Sequence, residues 1–97
     1  MYLSYEQVDA ATVKTVSALT IPAEATHAEL QASGGDISYT MDGETDNPGS
    51  GRGMIMHSDA DPKLFLIEDV RNIRFVRGNG VADANLNIHY VGGRSIA

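Results

Sequence analysis

Apolar and polar side chains alternate along several short stretches of this chain, which is the pattern of β-strands with one buried face. The alternation is clearest from Ala84 to Tyr90, and it also runs through 28–32 and 37–41. Gly34 and Gly35 separate the last two stretches, and glycine readily adopts the positive φ of tight turns. Residues 26–43 are therefore predicted to form a β-hairpin, whose apolar face other strands must cover because a lone hairpin is marginal in water.

The rest of the chain offers further short strands. β-Branched residues predict a strand at 12–19, and apolar residues predict strands at 54–56, 64–67 and 70–77. The mixed pattern of 1–9 fits either an edge strand or a partner-binding arm that lies on a neighbouring subunit.

The spacing of these strands predicts the fold class. Good helix formers between 23 and 31 would also suit a helix, but a helix there would break the alternation at 28–32. Turn residues fill 42–53, a predicted long exposed loop, and 92–97 has the composition of a loose tail. Seven or eight short strands at a spacing of about 8–12 residues predict an all-β antiparallel β-sandwich, Ig-like or jelly-roll-like, without any helix. We expect one domain over residues 1–97.

Composition narrows the classes of partner. The chain has 97 residues, no cysteine, a formal net charge of -6 and a pI of about 4.7. This charge would repel phosphate backbones, so we expect no nucleic-acid partner. No apolar run reaches the roughly 18–20 residues of a membrane-spanning helix, so we expect no membrane partner either.

The histidines do not predict a metal centre or a catalytic site. His27, His57 and His89 lie far apart and lack the local motif of a cupin-like site. Ser58 follows His57, but adjacent strand residues point to opposite faces and cannot form a nucleophile and base pair. No phosphate-binding glycine loop or hydrolase motif occurs, so the prediction is a protein that is not an enzyme and needs no cofactor.

An acidic loop leaves one choice open. Asp42, Glu44 and Asp46 alternate in the 42–53 loop, with Asn47 adjacent, and such oxygen ligands suit calcium. The loop departs from an EF-hand pattern, and a solvated acidic turn is favoured over a calcium site; no metal site is assigned.

The tyrosines divide into two pairs. Tyr39 and Tyr90 lie in alternating apolar stretches and are predicted to be core residues with a hydroxyl at the rim. Tyr2 and Tyr5 have no such register, and exposed tyrosines are good anchors for a partner. The candidate partner-binding residues, taken from the two chain ends and the 42–53 loop, are Tyr2, Leu3, Tyr5, Asp42, Glu44, Asp46, Asn47, Arg52 and Ile96.

Two family resemblances attach to these residues. The segment 36–44, with Ile37, Tyr39 and Thr40 before Asp42-Gly43, resembles the strand and turn of chitobiase C-terminal-type Ig-like modules. More broadly, the chain resembles small β-sandwich virion proteins of tailed bacteriophages. The segments that carry this second resemblance are 21–32, 36–43, 73–76 and 84–90.

The broader resemblance implies a structural role in the virion. Such a protein would bind the major capsid protein as a decoration or cement protein, or bind neck or tail proteins. It would be present in many copies or as a homo-oligomer on the particle. The alternative expectation is a carbohydrate-binding or adhesive Ig-like module.

Overall fold

The computed structural model describes residues 1–42, 48, 53–78 and 82–92. Within them, eight strands form two four-stranded sheets, and every pairing between named strands is antiparallel. The predicted all-β, sandwich-like class is confirmed. The elements are β1 (Tyr2–Asp9), β2 (Lys14–Thr15), a 3-10 helix (Val16–Ala18), β3 (Ala25–Ser33), β4 (Ile37–Thr40), β5 (Met54–Met56), β6 (Lys63–Leu66), α1 (Ile67–Val70), β7 (Arg74–Arg77) and β8 (Asn85–Gly92).

The predicted hairpin is wrong, although both of its strands exist. The first sheet has the order β1-β8-β3-β6 and the second has the order β2-β7-β4-β5, so β3 and β4 lie in different sheets. Gly34, with φ of +78°, and Gly35 carry the chain from one sheet to the other. Alternation determines which face a strand buries, but it does not determine which strand it pairs with. Here the two apolar faces meet across the core instead of lying side by side.

The core lies between the sheets. β8 is a central strand of the first sheet, and its Leu86, Ile88 and Tyr90 are fully buried. β3 contributes Leu30 from the neighbouring strand, and β7 contributes Phe75 from the facing sheet. The other buried apolar residues are Ala10, Ala25, Ala28, Ala32, Ile37, Tyr39, Met56, Ile67, Val70, Ile73 and Ala84.

Three short regions differ from the sequence prediction in detail. The strand predicted at 12–19 is present only at Lys14–Thr15, because Thr15 then accepts a hydrogen bond from the Ser17 backbone and caps the 3-10 helix. The strand predicted at 70–77 begins only at Arg74. One helical turn, α1, precedes it, and its Ile67 and Val70 are both buried. The expectation that no helix occurs is therefore wrong by a single turn, since residues three apart share a face in a helix.

The chain ends and the long loop are only partly described. Residues 2–9 form the edge strand β1, which is one of the two alternatives for 1–9. Gly92 ends β8, and the remainder of the predicted tail, 93–97, lies outside the described residues. Within the 42–53 loop only Asp42, Pro48 and Gly53 are described.

The Glu6 carboxylate links the edge strand β1 both to the buried Tyr90 of β8 and to the segment that follows β2. The Tyr90 hydroxyl donates to Glu6 Oε2 at 2.6 Å, and the Thr20 backbone N–H donates to the same oxygen at 2.8 Å. Burial, together with the Glu6 carboxylate, raises the pKa of Tyr90. The prediction that Tyr39 and Tyr90 belong to the core is confirmed.

Candidate binding surface on the first sheet

The outer face of the first sheet carries an ordered array of side chains. Because directly paired residues share a face, strand register places them in rows across the four strands. One row is Tyr5, His89, Glu29 and Leu64. The next row towards the end of the sheet is Tyr2, Val91, His27 and Leu66. We call these eight residues the outer patch.

The outer patch concentrates exposed apolar surface. Tyr2 and Tyr5 are each 58% exposed, and Leu64 and Leu66 are 60% and 50% exposed. These four are half of the eight large hydrophobic side chains that are exposed among the described residues. Single exposed apolar residues are ordinary on protein surfaces, whereas contiguous ones mark sites of interaction.

A β-bulge brings the two tyrosines together. Residues three apart in a regular strand point to opposite faces, yet Tyr2 pairs with Val91 while Tyr5 pairs with His89, two positions away. The register shifts between Tyr2 and Ser4, so β1 contains one extra residue there. A second register shift, between Ala25 and His27, lies on the other side of the same end of β8. Both neighbours of β8 are therefore bulged where the outer patch is most apolar.

The rings in the outer patch pack against one another. Tyr2 stacks on His89 with centroids 4.1 Å apart and an interplanar angle of 21°. Tyr5 meets the same imidazole edge-on at 5.9 Å and 83°. The Glu29 carboxylate raises the pKa of Tyr2, through its interaction with the hydroxyl and through its charge. The rings are held in place although they face solvent.

A row of amides borders the outer patch. Gln7, Asn87 and Gln31 are cross-strand partners in the row beyond Tyr5. Asn87 Oδ1 accepts from Gln7 Nε2 at 2.8 Å and from the Tyr5 hydroxyl at 3.1 Å. Asn87 Nδ2 in turn donates to Ser33 Oγ at 3.1 Å. This network fixes the orientation of the Asn87 amide.

A shallow concavity opens between the outer patch and the amide row. Its volume is about 90 Å³. It is lined by Tyr5, Glu29, Gln31, Pro62, Asn87 and His89. The lining therefore combines aromatic rings with a carboxylate and two amides, which suits recognition of a ligand by stacking and hydrogen bonding.

The structure brings together only part of the candidate set from the sequence. Tyr2 and Tyr5 lie in the outer patch, whereas Leu3 is half-buried and packs against the core. Asp42 is exposed just after β4. The other candidates, Glu44, Asp46, Asn47, Arg52 and Ile96, lie outside the described residues.

The histidines and the serine considered for metal binding or catalysis lie in two different parts of the structure. His57 Nδ1 lies 3.6 Å from Asp36 Oδ2, and the Ser58 backbone N–H donates to Asp36 Oδ1 at 2.8 Å, so Asp36 fastens the turn after β5. His27 and His89 belong to the outer patch. Within the described ranges, no group of three or more His, Asp or Glu side chains could hold a metal ion. No helix in the described part of the chain is long and apolar enough to cross a membrane.

Sequence reasoning did not single out Glu29, His89, Leu64 or Leu66 as parts of a site. One signal was present for the leucines: the run 64–67 is apolar at consecutive positions, so one of its faces must point outward if it is a strand on the surface of a two-layer fold. Glu29 and His89 stand at polar positions of regular strands, and nothing in the sequence indicates that they are adjacent.

Comparison with known proteins adds no assignment: no family model matches the chain, and no curated protein or solved structure matches it.

Proposed function

We propose that this protein is a non-enzymatic structural component of a tailed-bacteriophage virion, bound to the capsid surface as a decoration or cement protein or to the neck or tail. The observation that carries the proposal is the outer patch, where two tyrosines on one edge strand and two leucines on the other are exposed on the same face of the sheet. The resemblance of the sequence to small β-sandwich virion proteins supplies the identity of the particle.

The outer patch suits attachment to a preformed protein surface. Tyrosine gives a large contact area at a low cost in side-chain entropy, and here stacking and hydrogen bonding already restrict the rings. A specific interface buries about 1,000 Å² or more in total. When linked copies repeat even a modest contact around a symmetric shell, the resulting avidity makes the attachment stable.

The proposal is tested by purifying particles from a host that produces the tagged protein and measuring its copy number relative to the major capsid protein. The expected result is a fixed ratio that matches capsid or tail symmetry. Recovery of the protein only from the particle-free fraction of the lysate would contradict the proposal.

Variants locate the attachment surface. Replacing Tyr2 and Tyr5 by serine should lower the bound fraction at sub-saturating concentration by on the order of tenfold, because truncated aromatic anchors cost interfaces most. Val13→Ser is the matched control, since Val13 is also exposed but lies outside the outer patch. Equal binding by both variants would show that another surface mediates attachment.

Carbohydrate binding is the second candidate function, and the concavity favours it. Aromatic rings beside amide and carboxylate groups are the side chains that stack on a sugar ring and hydrogen-bond its hydroxyls. A glycan array probed with the wild-type protein and with Asn87→Ala is the test. Binding that the variant loses would support this function, and an array without signal above background would exclude it.

A further inference from the structure

The concavity beside Glu29 has a charge and hydrogen-bonding character of its own. The amide nitrogens of Asn87 and Gln31 each donate one N–H, to Ser33 Oγ and to the Ala60 carbonyl oxygen, and Asn87 Oδ1 already accepts two hydrogen bonds. Glu29 supplies a carboxylate at the same place. The Glu29 carboxylate is therefore the acceptor in the lining that carries charge, and a ligand complementary to it must bring donors.

Glu29 has no cationic partner among the residues that the structure describes. No described lysine or arginine forms an ion pair with it, and its paired neighbours across the strands are His89 and Leu64. The chain carries a formal net charge of -6, so its overall field also attracts cations. A half-buried carboxylate without a counter-ion is a ready site for a positive group on another molecule.

The surrounding rings select the kind of cation. Tyr5 and His89 both line the concavity. Their rings meet edge to face, with centroids 5.9 Å apart. A planar guanidinium can stack on an aromatic ring and donate two parallel hydrogen bonds to a carboxylate, whereas an ammonium is a strongly hydrated point charge. The arrangement of one carboxylate among aromatic edges thus fits arginine better than lysine.

We infer that the concavity lined by Tyr5, Glu29 and His89 receives an arginine side chain of the protein partner that the outer patch contacts. This inference rests on the proposed function, because it names the chemistry of the partner at the same surface. The tyrosines and leucines at the two edges of the sheet supply contact area, and Glu29 between them selects partners that present an arginine among apolar side chains.

The test uses the intact protein and small probes. N-acetyl-arginine amide is titrated into isotope-labelled protein, and backbone amide shifts are followed by NMR, with N-acetyl-citrulline amide as the uncharged isostere. Shifts at Tyr5, Glu29, Asn87 and His89 are expected with the arginine probe only. Glu29→Gln should weaken its binding at least tenfold, while Glu24→Gln, an exposed acid in the β2–β3 connection, should leave binding unchanged.

The remaining outcomes separate this inference from the proposed function. Equal shifts with citrulline, or unchanged binding by Glu29→Gln, would overturn it, as would shifts at these residues with glucose or N-acetylglucosamine that the Glu29→Gln variant retains. If particles still carry the Glu29→Gln protein but lose the Tyr2 and Tyr5 variant, the arginine site is wrong and the structural role stands. If the arginine probe binds but the protein is never found on particles, the site stands and the virion role fails. Thermal unfolding of Glu29→Gln confirms that the variant is folded.

Discussion

The inner and outer faces of the first sheet are made by the same four strands, and both carry tyrosines whose hydroxyls are hydrogen-bonded. On the inner face, Tyr90 has no exposed surface and donates to Glu6. On the outer face, Tyr5 donates to Asn87 although more than half of its side chain is exposed. A hydrogen bond therefore does not reveal the role of a tyrosine here. Burial decides whether the side chain stabilises the fold or presents a surface to a partner.

The largest expected difference between the faces comes from two adjacent residues of β3. Leu30→Ala removes a fully buried side chain and should lower the free energy of unfolding by about 2–5 kcal/mol. Gln31→Ala, on the outer face, should cost less than about 1 kcal/mol, the contribution of one hydrogen bond. Urea denaturation of both variants measures the difference. Similar midpoints would mean that the two faces do not differ in the way the burial pattern indicates.

The next effect compares hydroxyl groups. Tyr90→Phe should cost about 1–2 kcal/mol, because Glu6 loses a buried donor and retains only the Thr20 N–H. Tyr5→Phe removes an exposed hydroxyl, and its cost should stay below about 0.5 kcal/mol. The same urea experiment ranks them, and a larger loss for Tyr5→Phe would reverse the assignment of the faces.

The Tyr90 hydroxyl also predicts a dependence on pH. Its pKa is raised above the ordinary value of 10.0, so folding favours the protonated form. This contribution is fully present below pH 10.0 and is lost as the pH rises above that value, since the unfolded chain then releases a proton that the folded chain keeps. The free-energy difference between wild type and Tyr90→Phe should shrink across this range. The other tyrosines are present in both proteins and cancel in the difference; a constant gap would contradict the prediction.

The crossing between the sheets gives a smaller effect. Gly34 has a φ of +78°, so Gly34→Ala should cost about 1 kcal/mol of backbone strain, while its new Cβ would meet only Asn85 Nδ2 at 3.8 Å. Gly35 does not have a positive φ, and Gly35→Ala should cost less than half as much. Thermal unfolding of the pair tests whether this connection, and not packing, is the source of the loss.

The smallest effect on stability is expected on the outer patch itself. Replacing Leu64 and Leu66 together by threonine introduces β-branched side chains that suit a strand, and should change the free energy of unfolding by no more than about 0.5 kcal/mol. The solubility limit should rise, because an exposed apolar edge strand favours association. A loss of several kcal/mol would place these leucines in the core.

The fold class and most strands could be predicted from the sequence because a half-buried strand alternates apolar and polar side chains. It placed Leu30, Leu86 and Tyr90 inside for that reason. It did not reach strand pairing, since β3 could have paired with β4 or faced it across the core with the same burial. The helical turn at Ile67 and Val70 was missed because four residues are too few to show a helical period.

The binding surface was less predictable than the fold. Tyr2 and Tyr5 were predicted as partner-binding residues, but they share a face only because of a bulge, and no residue in β1 indicates that bulge in the sequence. Glu29 and His89 become neighbours through the register of β3 with β8, which is a property of the assembled sheet. A local pattern carries no information on which polar residues of separate strands will meet.

The display of Tyr2 and Tyr5 depends on the extra residue in β1 and not only on residue identity. Leu3 fills the bulge, and its side chain packs against the core beside Gly92. Deleting that one position would leave Tyr2 and Tyr5 two residues apart in a regular strand, so both rings would keep the outer face while the contact of Leu3 with the core was lost. The bulge thus allows two tyrosines at an odd spacing to appear on one face, and it uses the residue between them to anchor this end of the sheet to the interior.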